Sequence, residues 1–80
     1  MAEGDLQRIV GMNLKTYRRT RSLSQEAFAD LLGWHRTYIG GLERGERNLT
    51  LRAVERIALR LNVDPLSLLG VSGDLESRRH

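Results

Sequence analysis

The stretch Ser24-Gln25-Glu26-Ala27-Phe28-Ala29-Asp30-Leu31-Leu32-Gly33-Trp34-His35-Arg36-Thr37-Tyr38-Ile39-Gly40-Gly41-Leu42-Glu43-Arg44-Gly45 decides how this chain folds. Ser24 offers a side-chain oxygen to the free amides of a helix start, and Glu26 places a negative charge in that helix's first turn. Phe28, Ala29, Leu31 and Leu32 supply its apolar residues. Gly33 ends it, because glycine takes up a left-handed backbone at little cost. A second helix is expected from about Arg36 to Glu43, with Ile39 and Leu42 turned inward and Gly45 just past its end. Ala29 sits where a larger side chain would collide with the following helix, and Gly33 permits the sharp turn. Two helices joined in this way form the unit that lays one helix in the DNA major groove.

Helical patterning extends in both directions from this pair. Asp5 is a candidate cap for a first helix running to about Arg19, with Leu6, Ile9, Val10, Leu14 and Tyr17 on one face. Lys15, Arg18, Arg19 and Arg21 crowd its C-terminal end, where cations favour the helix dipole. Thr50 caps a fourth helix from Leu51 to about Leu61, with Val54, Ile57, Ala58 and Leu61 apolar. Asp64-Pro65 starts a short fifth helix that ends at Gly70. Residues 71–80 show no apolar period and are expected to form a flexible tail. There is no alternating strand pattern and no internal repeat.

The expected core comprises Val10, Leu14, Tyr17, Leu23, Phe28, Ala29, Leu32, Trp34, Ile39, Leu42, Val54, Ile57, Ala58 and Leu61. Leu59, Val63, Leu66, Leu68, Leu69 and Val71 exceed what one small bundle requires and are candidates for a second contact surface.

Composition narrows the chemistry. Eighty residues make one domain. The absence of cysteine excludes disulfides, thiolate metal sites and thiol nucleophiles. The two histidines, His35 and His80, are too few for a histidine-built metal site. No nucleophile–base pair, carboxylate pair or phosphate loop stands out, so neither an enzyme nor a cofactor is expected. Apolar runs are too short to span a membrane, and the acidic start, Met1-Ala2-Glu3-Gly4-Asp5, lacks an apolar leader core; a cytoplasmic location is expected. The net charge is +3, and the thirteen basic residues include only one lysine, Lys15. Arginine's planar fork suits phosphates and guanine edges, although a genome rich in G·C codons explains the bias equally well.

These residues resemble the Xre, or Cro/phage-repressor-like, helix-turn-helix family over about residues 9–70. The resemblance rests on Leu23 to Ala29, Gly33 to Ile39, Leu42-Glu43-Arg44-Gly45, Ile57-Ala58 and Leu61-Asn62-Val63. The run His35 to Ile39, followed by Glu43 to Thr50, looks most like the controller proteins of restriction–modification systems. The resemblance implies an all-α, lambda-repressor-like bundle of five helices over residues 1–70, acting as a homodimeric transcriptional regulator on a palindromic site. Helices four and five would form the dimer contact. A general Xre repressor or an antitoxin is the alternative within the class, and a helical protein-interaction module is the alternative outside it.

The resemblance also implies residue roles. Gln25 matches a position that hydrogen-bonds a backbone phosphate. Arg36 and Thr37 match the first outward positions of the recognition helix, where side chains meet base edges. Tyr38 offers a hydroxyl to phosphate or base, or serves equally as a packed aromatic over the turn. Arg47, Asn48 and Thr50 match backbone-clamping positions. Arg18 and Glu43 match a partly buried ion pair that orients the recognition helix. His35 stands at a helix cap usually held by Ser or Thr. Gly40-Gly41 departs from the pattern, since position 41 often carries a base-reading side chain. Either the bare surface lets the helix approach DNA, or one glycine permits close packing.

Overall fold

A computed structural model describes residues 1–70, and over that span the chain is wholly helical between its turns. The helices are α1 (Asp5–Thr20), α2 (Gln25–Leu32), α3 (Arg36–Glu43), α4 (Leu51–Leu61) and α5 (Pro65–Leu69). The tail expected over residues 71–80, Val71 included, lies outside the described residues.

Local chemistry sets most of these boundaries. Ser24 Oγ accepts the Ala27 amide at 3.0 Å, and Thr50 Oγ1 accepts the Ala53 amide at 3.0 Å. Asp64 Oδ1 accepts the Leu66 amide at 2.9 Å, with Pro65 at the first helical position. Each such cap stabilises its helix by about 1 kcal/mol. Asn62 ends α4 in the left-handed conformation. The start of α1 differs from expectation. Gly4 occupies its cap position with a left-handed backbone, and Asp5 is the first helical residue. The Asp5 carboxylate reaches back to accept the Ala2 amide at 2.6 Å and pairs with Arg8.

The core is continuous. Phe28, Leu14 and Ile39 are wholly buried, and Val10, Ala29, Leu32, Leu42, Val54, Ile57, Ala58 and Leu61 surround them. Tyr17, Leu23 and Trp34 are only partly buried and pack against this cluster. Leu6 and Leu31, expected among the apolar residues of their helices, stay exposed. Leu68 is the main correction: expected on a second surface, it is buried in the core because α5 packs on both α1 and α4. Asn13 of α1 holds α5 there. Its amide donates to the carbonyls of Leu68 and Gly70, each at 2.9 Å, satisfying groups that a helix end leaves free. Leu59 and Leu66 remain exposed, with Val63 and Leu69 half-buried beside them.

The crossing of α1 and α3 depends on Gly11. A Cβ there would lie 2.3 Å from the Leu42 carbonyl oxygen and 2.8 Å from that of Glu43. Only a residue without a side chain lets the two helices come this close.

Candidate nucleic-acid interface

The turn before α3 determines which residues that helix exposes. Gly33 takes φ +75°, and the next amide, Trp34, donates to the Ala29 carbonyl at 2.9 Å, closing the end of α2. The chain leaves this turn into α3, where His35 Nδ1 accepts the Thr37 amide at 3.1 Å. That contact requires a neutral imidazole with its proton on Nε2. His35 thus does structurally what serine or threonine would do. Arg36 and Thr37 follow at once, both exposed on the first turn. Tyr38 is half-buried, with its ring edge-on to Trp34 at 4.9 Å between centroids and 71° between planes. Of its two expected roles, the ring geometry supports the packed aromatic over the turn.

The inner side of α3 is anchored by charge as well as apolar burial. Glu43 is 8% exposed and receives Arg18 Nε at 2.7 Å and Nη2 at 3.1 Å. Gln25 Nε2 adds a third donor at 3.1 Å, and Arg18 Nη1 also donates to the Leu23 carbonyl at 2.9 Å. One carboxylate therefore joins the end of α1, the start of α2 and the end of α3. Among the described residues no buried side-chain polar atom lacks a partner. Gln25 points part of its amide inward to this network, so the expected phosphate contact falls to its remaining hydrogen-bonding capacity.

The two glycines of α3 are both buried, because arginines lie across them. A Cβ on Gly40 would stand 3.3 Å from Arg44 Nη1. A Cβ on Gly41 would stand 2.8 Å from Arg47 Nε and 3.5 Å from its Cζ. The Arg47 guanidinium carbon also lies 5.0 Å from the centre of the Tyr38 ring, within cation–π range. The surface at positions 40 and 41 is thus filled by side chains returning from beyond the helix.

That return is made by a tight loop. Gly45 takes φ +76°, and a Cβ there would lie 2.9 Å from Arg8 Cα, so the loop rests on the α1 backbone. Asn48 Oδ1 accepts a hydrogen bond from Gln7 Nε2, which tethers the loop to α1 and leaves the Asn48 amide hydrogens for other partners. Thr50 Oγ1 is engaged as the α4 cap, leaving its hydroxyl hydrogen to donate. An open groove runs between the starts of α3 and α4, lined by Trp34, His35, Tyr38, Asn48, Thr50 and Arg56.

The structure therefore brings Arg36, Thr37, Tyr38 and Arg47 together on the outer side of α3. Asn48 and Thr50 adjoin them at the start of α4. Sequence reasoning missed Arg56; the i, i+4 spacing of Arg52 and Arg56 on α4 is the pattern that points to a basic strip beside this groove. Among the described residues no group of His, Cys, Asp and Glu could hold a metal ion, and no helix is long and apolar enough to cross a membrane.

Comparison with known proteins gives this arrangement a lineage. Residues 14–68 match the helix-turn-helix family. Control protein C.SmaI from Serratia marcescens is 44% identical over 69 residues, covering 86% of this chain and 82% of the relative. The crystal structure of the restriction–modification controller protein C.AhdI from Aeromonas hydrophila superposes with a TM-score of 0.68 at 39% identity, covering 78% of this chain and 94% of that one. The C.Esp1396I controller tetramer, in complex with its natural 35 base-pair operator, gives a TM-score of 0.68 at 34% identity, covering 80% of this chain and 84% of that one. The chain belongs to the helix-turn-helix family, alongside the restriction–modification controller proteins.

Proposed function

We propose that this protein is a sequence-specific double-stranded DNA-binding transcriptional regulator, working in the cytoplasm as a homodimer on a palindromic operator and serving as a restriction–modification controller. The observation that carries the reading is the exposure of Arg36 and Thr37 on the capped first turn of α3, while the rest of that helix is locked against α1 and α2. An exposed arginine on a rigid helix can pair bidentately with guanine O6 and N7, and threonine can meet a thymine methyl. Gln25, Tyr38, Arg47, Asn48 and Thr50 surround this turn with phosphate-directed donors, and the α4 N-terminus adds its dipole. Such a surface binds DNA without catalysis and without a cofactor.

One module with so few base contacts binds weakly, and two-fold pairing doubles the contact list. The exposed Leu59 and Leu66 on α4 and α5 support dimerisation through those helices. The similarity to C.SmaI and C.AhdI supports the controller role.

Selection from a random duplex library tests the reading. The expected product is an inverted repeat whose half-sites lie about one helical turn apart. Failure to enrich any sequence overturns it and favours a helical protein-interaction module. A methyltransferase and an endonuclease gene beside this one would support the controller role, whereas a toxin gene would replace it with that of an antitoxin.

A further inference from the structure

The end of α3 and the loop after it rest on the first turns of α1, at residues 7, 8 and 11. Gly11 lets the end of α3 press against α1, where a Cβ would lie 2.3 Å from the Leu42 carbonyl oxygen. Gly45 sits on Arg8, since a Cβ there would lie 2.7 Å from its Cγ and 2.9 Å from its Cα. Gln7 then takes hold of Asn48, its Nε2 donating to Asn48 Oδ1. The first two approaches are packing, but the third is directional, and neither partner has a local structural task. Gln7 holds the third position of α1, where glutamine often reaches back to the cap residue's amide. No side chain caps this helix start, and Gln7 reaches instead across 41 positions of sequence. Nor does the backbone demand an asparagine at 48. Among the described residues only Ser22 and Asn62, besides glycines, are left-handed, and the cap of α4 is Thr50.

We infer that Gln7 is a positioning residue for DNA binding: it turns the Asn48 amide so that its N–H groups, not its carbonyl oxygen, face the phosphate backbone. This rests on the DNA-binding function proposed above, with Asn48 among its phosphate contacts. A phosphate oxygen only accepts hydrogen bonds. An asparagine amide has a donor end and an acceptor end of nearly equal size, and an unrestrained one must be turned and fixed at the moment of binding. With its oxygen engaged by Gln7, the Asn48 side chain offers donors alone. It does so beside Arg47 and close to Thr50, whose oxygen is engaged in the same way by the Ala53 amide. A residue of α1, outside the reading surface, thereby sets the polarity of the clamp.

The test is a double-mutant cycle on the full chain. Affinities are measured on a duplex selected from a random library and on a random-sequence duplex, while circular dichroism follows folding. Gln7→Leu keeps the bulk and removes the donor; it is expected to weaken binding about 2- to 10-fold on both duplexes alike. In the Asn48→Ala background the same change is expected to have no effect, because no amide is left to orient. Gln7→Glu is the sharper probe. Its carboxylate only accepts, so bonding to Asn48 turns the amide around and aims the oxygen at the phosphate. Its loss should exceed that of Gln7→Leu, and whatever its negative charge alone causes is what remains in the Asn48→Ala background. A Gln7→Leu loss of equal size with and without Asn48 overturns the inference and makes Gln7 a general support of the α1 start. Affinity untouched by Gln7→Leu, or by Asn48→Ala, overturns it as well. Should Gln7→Leu fail to fold, Gln7→Glu in the two backgrounds decides by the same comparison. If the unaltered protein binds neither duplex, the DNA-binding function itself falls, a result distinct from the failure of any variant.

Discussion

The two faces of α3 obey opposite rules. On the inner face, Ile39 and Leu42 are buried, and Glu43 receives three side-chain donors drawn from two other helices. On the outer face, Arg36 and Thr37 are exposed, and the adjoining Arg47 is restrained by glycine and tyrosine rather than by a carboxylate. The inner face spends its polar groups on position, so that the outer face can keep its own for a ligand. A helix only eight residues long, with two glycines in its second turn, needs this outside support. Each mid-helix glycine costs about 1 kcal/mol relative to alanine.

The largest expected effect comes from breaking the inner face. Glu43→Ala strands the Arg18 guanidinium, whose side chain is only 13% exposed, and releases Gln25. The loss should be about 3–5 kcal/mol in urea unfolding, and replacing both charged partners by apolar residues should cost less than removing Glu43 alone. A single-substitution cost below about 1 kcal/mol would show that the network does not hold α3. On the outer face the effect should move from folding to recognition. Arg36→Ala should change stability by no more than about 0.5 kcal/mol. It should also lose about 1–3 kcal/mol of discrimination at one base position. An equal loss on every duplex would contradict the base-reading role.

The smallest effect lies at the α1 start, remote from both faces. The Ala2 amide, and next the Arg8 guanidinium, hold the Asp5 carboxyl below its ordinary value. A depressed carboxylate contributes stability above its unfolded pKa and loses it as the pH falls through the folded value. Asp5→Asn should therefore lower the melting temperature slightly at neutral pH, and the difference should close as the pH falls below about 4. A difference that persists in acid would assign the effect to something other than ionisation.

Much of this architecture is legible in the sequence because its causes are local. Ser24, Thr50 and Asp64-Pro65 mark helix starts through bonds spanning two or three residues. Gly33 marks the turn through its own backbone. Arg36 and Thr37 could be placed at the tip of α3 because that turn fixes where the helix begins. The rest depends on contacts between distant residues. Asn13 caps α5 from 55 positions away in its bond to Leu68, and Gln7 reaches Asn48 across 41 positions. Leu68 resembled a surface residue because nothing in its neighbourhood reveals that α5 folds back on α1. Gly41 looked like a gap in the recognition helix, since no helical period shows that Arg47 returns to fill it. Asp5 had the residue type of a cap, but the left-handed Gly4 took that position and moved the helix start by one residue.

The affinity of this protein for duplex DNA as a function of salt concentration tests the central claim most directly. Phosphate contacts around an exposed reading turn predict that the logarithm of affinity falls linearly and steeply with the logarithm of salt, by about 0.9 per phosphate neutralised. Arg47→Ala belongs on the same plot: a phosphate clamp in the loop after α3 predicts a slope smaller by about one unit, and an unchanged slope would remove Arg47 from the phosphate contacts. An affinity that stays flat as salt rises would contradict the DNA-binding account altogether.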